Sequence, residues 1–232
     1  MLNLLRKDFK KLEDKEKGKF LQRYFKTGKG DYGEGDIFVG LTVPQSRTLA
    51  IKYKDLTFAE VLSLLKSKIH EERLIALLIL VHNFEKNPLE QRRIYDFYLK
   101  NTKYINNWDL VDLSSHEIVG GYLRDKPKDI LLNLAKSNNL WEKRIAVIST
   151  FTFIRDKKFE TSLKIAKILM EDKEDLIQKA VGWMLREIGN RDLKVEAEFL
   201  KKYYKQMGRT ALRYSIEKFP PGLRLRYLRG EI

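Results

Sequence analysis

Every proline in this chain falls between apolar segments and none falls inside one. The five prolines are Pro44, Pro88, Pro127, Pro220 and Pro221. A proline inside a helix removes a hydrogen bond and clashes with the preceding turn, so this placement indicates helices joined by short connections. Alternation of apolar and polar residues, which is typical of strands, is sustained nowhere. The sequence therefore predicts an all-α fold.

Helical segments of similar length recur in pairs. Residues 70–85 are apolar on almost every side after Arg73, which indicates a helix buried among others. Three pairs are predicted: 56–66 with 70–85, 127–136 with 140–155, and 158–170 with 174–188. Such pairs favour a HEAT-like α-solenoid of paired antiparallel helices with a concave, basic face. A compact helical bundle is the alternative. No linker divides the chain, so we expect residues 1–232 to form one domain.

The composition favours an anionic partner. Lys and Arg number 46 against 32 Asp and Glu, giving a net charge of +14. Between Lys201 and Gly230 there are nine cations and one acid, Glu217. Clustering of this kind makes a positive field, and nucleic acid is the leading candidate partner. Ribosomal or membrane-surface association is weaker, and a merely heat-adapted charged surface is the alternative.

Several function classes are disfavoured by what the chain lacks. There is no cysteine, which excludes thiolate metal sites and suits a reducing cytoplasm. The three histidines lack ligand spacing, so no metal is expected. The longest apolar run, 74–81, is too short to cross a bilayer, and the N-terminus has no apolar signal segment. We expect a cytoplasmic protein without cofactor or membrane association.

One segment departs from the helical pattern. Residues 26–43 contain five of the 13 glycines and are predicted to form a loop. A new helix is expected to begin at Pro44, because proline is favoured in the first turn.

The three tryptophans occupy different settings. In helix 174–188, Trp183 lies roughly 110° from the centre of the apolar stripe and shares its flank with Lys179 and Arg186. An aromatic ring between two cations suggests a nucleic-acid contact. The alternative is a tryptophan that covers a helix seam beside basic neighbours. Trp141 shares a stripe with apolar residues, which favours core packing.

Arg144 projects from helix 140–155 where an apolar residue would be expected. A guanidinium in that position must find a partner, because an unpaired buried charge is unstable. It could hold a phosphate, or it could form an ordinary ion pair.

Trp108 and Asp112 are four residues apart, so on a helix they share one face. The run Ser114–Glu117 fits a capping box, which makes the preceding helix short and places Asp112 at its C-terminal end. The helix dipole disfavours a carboxylate there, so the position indicates a function or a compensating cation. A helix-junction cap or ion pair is an equal alternative. Asp109 is the rival carboxylate, although it points about 100° away from Trp108.

These motifs together resemble the AlkD-type HEAT-like-repeat alkylpurine DNA glycosylases along nearly the full chain. The resemblance is carried by Asn107–Asp112, Asn139–Arg144, Ile177–Glu187, and Arg23–Lys26 followed by Val43–Arg47. It implies that Asp112 is the catalytic carboxylate, that Trp108 and Trp183 flank the lesion deoxyribose, and that Arg144 supports the site and contacts the DNA backbone. It also places Tyr24 at the cleft. The glycine-rich loop, Gly28 to Gly40, departs from some relatives.

The resemblance implies a monofunctional glycosylase that releases cationic N3- or N7-alkylated purines from duplex DNA. We expect it to act as a monomer, gripping backbone and sugar without a base pocket. The other predicted DNA contacts are Lys179, Arg186, Arg47 and Arg213. A non-catalytic HEAT-like nucleic-acid-binding module is the main alternative, because it would keep the basic face and tryptophans but would not need Asp112. A protein-scaffold solenoid is the third possibility.

Overall fold

The computed structural model describes all residues, 1–232, and its regular secondary structure is helical, apart from one isolated β-bridge between Ile37 and Ile69. The α-helices are α1 (Leu2–Lys10), α2 (Lys15–Tyr24), α3 (Val43–Lys52), α4 (Phe58–Leu65), α5 (His70–Lys86), α6 (Gln91–Lys100), α7 (Trp108–Asp112), α8 (Asp129–Ala135), α9 (Leu140–Ser149), α10 (Phe151–Arg155), α11 (Glu160–Leu169), α12 (Asp175–Gly189), α13 (Leu193–Tyr203), α14 (Arg209–Ser215) and α15 (Pro221–Arg229). Short 3₁₀ turns and one π-helix, His116–Gly120, join them. The predicted all-α fold is confirmed.

The helices fall into two compact units, Met1–Ser114 and Ser115–Ile232. Helices α1–α7 belong to the first unit and α8–α15 to the second. Each unit has its own buried core. The expectation of a single domain stays a prediction. None of the helices is both long and apolar enough to cross a bilayer.

The first unit is built around α5. Its residues from His70 to Val81 are all buried, which confirms the sequence prediction for this segment. Helices α3, α4 and α6 pack against it, and α4 with α5 is the first predicted pair. Reciprocal capping boxes start α3, between Thr42 and Gln45, and α4, between Thr57 and Glu60. These caps satisfy backbone N–H groups that a helix start would otherwise leave unpaired.

The second unit contains the other two predicted pairs, α8 with α9 and α11 with α12. The prediction of one continuous helix over 140–155 is wrong, because the helix breaks at Thr150 into α9 and α10. The hydroxyl of Thr150 donates to the Val147 carbonyl at 2.7 Å, a local bond that competes with the regular helical ladder. Helix α12 also packs closely on α14, because Gly182 has no Cβ to meet the Ala211 carbonyl.

The segment 26–43 forms turns, as predicted. Helix α3 begins at Val43, one residue before the expected Pro44, with Thr42 as its cap. Gly33 and Gly40 allow backbone contacts that a side chain would block. A Cβ at Gly33 would lie 2.7 Å from the Phe25 carbonyl oxygen, and Gly40 has φ +95°.

Candidate functional site

Helix α7 carries Trp108 and Asp112 and has only five residues. Asn107 begins it, since its side-chain oxygen accepts the Trp108 N–H at 2.8 Å. Asp112 is its last residue, as the sequence predicted. The capping box expected at Ser114–Glu117 is absent. The Ser114 hydroxyl instead donates to the Leu110 carbonyl at 2.5 Å, so it closes α7 and does not cap the next helix.

The indole of Trp108 is the half-buried end of an aromatic stack. It lies parallel to Phe25, with ring centroids 5.0 Å apart and planes at 10°. Phe25 stacks on Phe38 at 4.6 Å, and Phe38 stacks on the His70 ring at 4.3 Å. We call the rings of Trp108, Phe25, Phe38 and His70 the aromatic stack. It fixes the plane of the Trp108 indole from the interior of the first unit.

Two tyrosines contact the edges of the same indole. Tyr24, which the resemblance assigned to the cleft, meets Trp108 edge-on at 6.2 Å between centroids and is 57% exposed. Tyr32 belongs to the glycine-rich loop, and its hydroxyl accepts the Trp108 Nε1–H at 3.3 Å. The loop therefore has a structural part in orienting this tryptophan.

A buried network of charges holds α7 from below. His70 Nε2 bonds Asp109 Oδ2 at 2.8 Å, and His70 Nδ1 bonds Asp36 Oδ2 at 3.2 Å. Arg73 pairs with the same Asp36 oxygen at 2.5 Å and also donates to the Ser67 carbonyl at 2.9 Å. The four ionisable side chains are all buried. The network joins the glycine-rich loop, α5 and α7.

The electrostatics of this network favour the charged forms of His70 and Asp36. Burial alone would lower the pKa of His70, but the charge and hydrogen bond of Asp109, together with the bond to Asp36, raise it above its ordinary value. Burial would raise the pKa of Asp36, yet the His70 hydrogen bond and the Arg73 charge hold it below its ordinary value. Each of these two side chains thus lies against a group that favours its charged form, which offsets the cost of burying it.

This arrangement separates the two carboxylates of α7. Asp109 is buried and bonded to His70, whereas Asp112 is half-buried at the helix end. Beneath α7 lies the fully buried Tyr98, whose hydroxyl bonds Ser114 Oγ at 2.9 Å. Burial raises the pKa of Tyr98, and the negative charge of Asp112 raises it further.

In the second unit, Arg144 is buried on α9, with 5% of its surface exposed. Its Nη1 donates to the Leu176 carbonyl at 2.5 Å. The guanidinium is thus held by a backbone carbonyl from the first turn of α12. Trp141, on the same helix, is buried as predicted.

Trp183 lies half-buried on α12, off the buried stripe, where the sequence placed it. Its ring is tilted against Phe151 at 6.3 Å between centroids, and its Nε1–H donates to Glu187 Oε1 at 3.3 Å. Glu187 in turn pairs with Arg191 at 2.7 Å, and the Arg191 guanidinium lies 5.5 Å from the centroid of the Phe151 ring. The orientation of the Trp183 indole is therefore fixed by the bond from its Nε1 edge to Glu187 and by its contact with the Phe151 ring.

The predicted phosphate-binding cations differ in their partners. Lys179 pairs with Asp175 at 2.7 Å, and Arg186 pairs with Glu217. Arg47 and Arg213 are exposed on α3 and α14. Arg47 lines a shallow groove with Ile51, His82 and Glu85, among other residues of α3 and α5. That part of α5 is about 12–15 residues beyond His70, or roughly 20 Å along the helix.

Sequence reasoning did not identify several residues that orient these sites, among them His70, Tyr32 and Phe151. Each acts through a partner distant in sequence or on another element, so spacing gave no signal for them. No group of three or more His, Asp or Glu side chains is placed to hold a metal ion.

Comparison with known proteins gives a family for this chain. The sequence profile of a family described as DNA alkylation repair enzyme matches residues 5–219. The chain belongs to this family. A solved structure of a predicted DNA alkylation repair enzyme from Enterococcus faecalis superposes with a TM-score of 0.68 at 16% identity, covering 90% of this chain and 97% of that one. The two share a fold. No match was found among curated proteins.

Proposed function

We propose that this protein is a monofunctional DNA glycosylase that hydrolyses the N-glycosidic bond of cationic N3- or N7-alkylated purines in duplex DNA. Membership of the DNA alkylation repair family supports a role in repair of DNA. The finer activity rests on one structural observation. Helix α7 carries the half-buried side chains of Trp108 and Asp112. Its other carboxylate, Asp109, is buried and bonded to His70 in the network that holds the helix.

The chemistry that this pair suits is loss of a leaving group that is already positive. An alkylated purine takes the electron pair of the C1′–N bond and departs neutral, so it needs little acid catalysis. The sugar becomes an oxocarbenium-like cation. The carboxylate of Asp112 would stabilise that charge and accept the proton of the water that adds to C1′. The electron-rich indole face of Trp108 would add cation–π attraction.

The resemblance also assigns roles to two residues of the second unit. We propose that Trp183 contacts the lesion deoxyribose and that Arg144 contacts the DNA backbone. The side chain of Trp183 is oriented by Glu187 and Phe151, and that of Arg144 by the Leu176 carbonyl. Side chains held in one orientation can position a bound sugar and backbone accurately. Exposed Arg213 and Arg47 are available for phosphates without breaking an ion pair.

Base release is the decisive experiment. Methylated duplex DNA is incubated with wild type, Asp112→Asn and the control Asp96→Asn, and free 7-methylguanine and 3-methyladenine are quantified by chromatography. Asp96 is an exposed carboxylate of α6 in the same unit, paired only with Arg92 at 3.8 Å. We expect release by wild type and by Asp96→Asn. Asp112→Asn should lose most activity, on the order of 100-fold, by analogy with removal of one electrostatic stabiliser.

Binding of the same DNA is measured in parallel. Asp112→Asn should bind at least as tightly as wild type, because it removes a negative charge that repels phosphate. No release by wild type would refute the enzyme and leave a nucleic-acid-binding module. Equal release by wild type and Asp112→Asn would remove Asp112 from the mechanism.

A further inference from the structure

Helix α2 exposes two aromatic side chains one turn apart. Phe20 and Tyr24 are each 57% exposed, their ring planes are within 17°, and their centroids are 6.1 Å apart. The only other exposed aromatic side chain of the protein is Tyr214, at 36%. Single exposed apolar residues are ordinary, but adjacent parallel rings form a patch that calls for an occupant.

The positive charge around Phe20 and Tyr24 favours a negatively charged ligand. Residues 15–30 contain six Lys and Arg and one acid, Glu16. Only Lys19 is paired with that acid, at 2.9 Å, whereas Arg23 and Lys26 project into solvent. A protein partner with an apolar face would contact the rings but leave the cations without anions, and membership of the DNA alkylation repair family favours DNA over an anionic lipid surface. Nucleic acid supplies both phosphates and flat aromatic bases.

The form of nucleic acid follows from geometry. In a paired duplex the bases are stacked, and the grooves present base edges and not base faces. A ring exposed on a helix surface can meet the face of a base that has left the helix. The pair also continues the candidate site, because the Tyr24 ring meets the Trp108 indole edge-on.

We propose that Phe20 and Tyr24 form a stacking site for an unpaired nucleobase of DNA, with Arg23 and Lys26 neutralising the adjoining phosphates. This inference rests on the proposed action on DNA but not on catalysis. Hydrolysis of a glycosidic bond itself leaves an unpaired base opposite the abasic sugar. The site would therefore hold the distorted strand after as well as before base release.

The test measures binding and uses no alkylated base. Three probes carry the fluorescent base 2-aminopurine: a duplex in which it is a single unpaired bulge, the same duplex with it paired to thymine, and a single strand. Wild type, Phe20→Ala, Phe20→Leu and Phe20→Trp are titrated against each. The control is Leu4→Ala, which truncates a side chain 60% exposed on α1.

Wild type should bind the bulged duplex more tightly than the paired one and quench its fluorescence. Phe20→Ala and Phe20→Leu should weaken binding of the bulged probe by about tenfold and abolish the added quenching, because base–aromatic stacking is lost. Phe20→Trp should retain both. Binding of the paired duplex should stay unchanged, and Leu4→Ala should match wild type on every probe.

If Phe20→Ala and Phe20→Leu weaken binding of the single strand alone, the result would still support base stacking. It would assign the site to single-stranded DNA and not to bulged duplexes. Equal weakening on paired and unpaired probes would overturn the proposal, as would wild-type binding by Phe20→Leu. Because Phe20 is exposed, unfolding curves should coincide for all variants. Failure of base release by wild type would leave this test unaffected.

Discussion

Glu196 is a buried carboxyl group in the second unit, and its titration should control stability. It lies on α13 with 2% of its surface exposed, and its Oε1 has no hydrogen-bond partner. The carboxyl fills the space over Gly189, where a Cβ would lie 1.7 Å from Oε2. Burial raises the pKa of Glu196 from 4.5 to about 8, although the positive charge of Arg186 opposes the shift.

The raised pKa of Glu196 determines how the free energy of unfolding changes with pH. Below pH 4.5 the carboxyl is mostly neutral in both the folded and unfolded states, so the protein keeps the full stability that the neutral carboxyl allows. Between pH 4.5 and about 8 only the unfolded state ionises, so the free energy of unfolding falls as pH rises. Each unit of pKa shift corresponds to about 1.4 kcal/mol. From pH 5 to pH 8 the loss attributable to Glu196 is about 3.5 kcal/mol.

Glu196→Gln should remove this slope, because an amide does not ionise. Urea unfolding is followed by tryptophan fluorescence at pH 5, 6, 7 and 8 for wild type, Glu196→Gln and the control Glu198→Gln, an exposed neighbour on the same helix. The difference between Glu196→Gln and wild type should grow by about 3.5 kcal/mol in favour of the variant. Parallel pH profiles for the two proteins would refute the reasoning.

Three further substitutions test the contacts that build the sites. Gly182→Ala would place a Cβ 2.4 Å from the Ala211 carbonyl oxygen, so the free energy of unfolding should drop by about 1–3 kcal/mol, measured by urea unfolding. His70→Phe keeps a ring in the aromatic stack but removes the donors to Asp36 and Asp109. A loss of about 3–5 kcal/mol is expected, and a change under about 1 kcal/mol would contradict the ionised network. Tyr32→Phe should lower base release by up to about tenfold with little loss of stability, because one hydrogen bond to Trp108 disappears.

The helical architecture could be predicted because its signals are local. Proline placement and apolar periodicity depend on neighbours within one or two turns, and they identified the pairs around α5, α9 and α12. The break at Thr150 was missed because threonine is tolerated within helices. Whether its hydroxyl bonds the preceding turn depends on packing that periodicity does not encode.

The candidate sites were predictable only in part. Spacing predicts Trp183 off the core stripe, and it lies there. A capping box at Ser114–Glu117 predicts Asp112 at a helix end; Asp112 does end α7, although the box is absent. Charge alone could not reveal which cations are engaged, and Lys179 and Arg186 turned out to be paired with acids. DNA must compete with those acids for both side chains, whereas Arg213 is exposed on α14. Arg213 is accordingly the better candidate for a strong phosphate contact.

The deepest difference between sequence and structure concerns the two carboxylates of α7. From spacing, Asp109 and Asp112 were rivals, and each could have served the chemistry. His70 lies 39 residues before Asp109 and bonds it at 2.8 Å. No local sequence pattern predicts a contact over that separation. Asp109 is buried beside that imidazole, so a sugar cannot approach its carboxylate as it can approach the half-buried Asp112. The buried network therefore strengthens the case for Asp112 by removing its competitor, and it fixes the helix from which Asp112 projects.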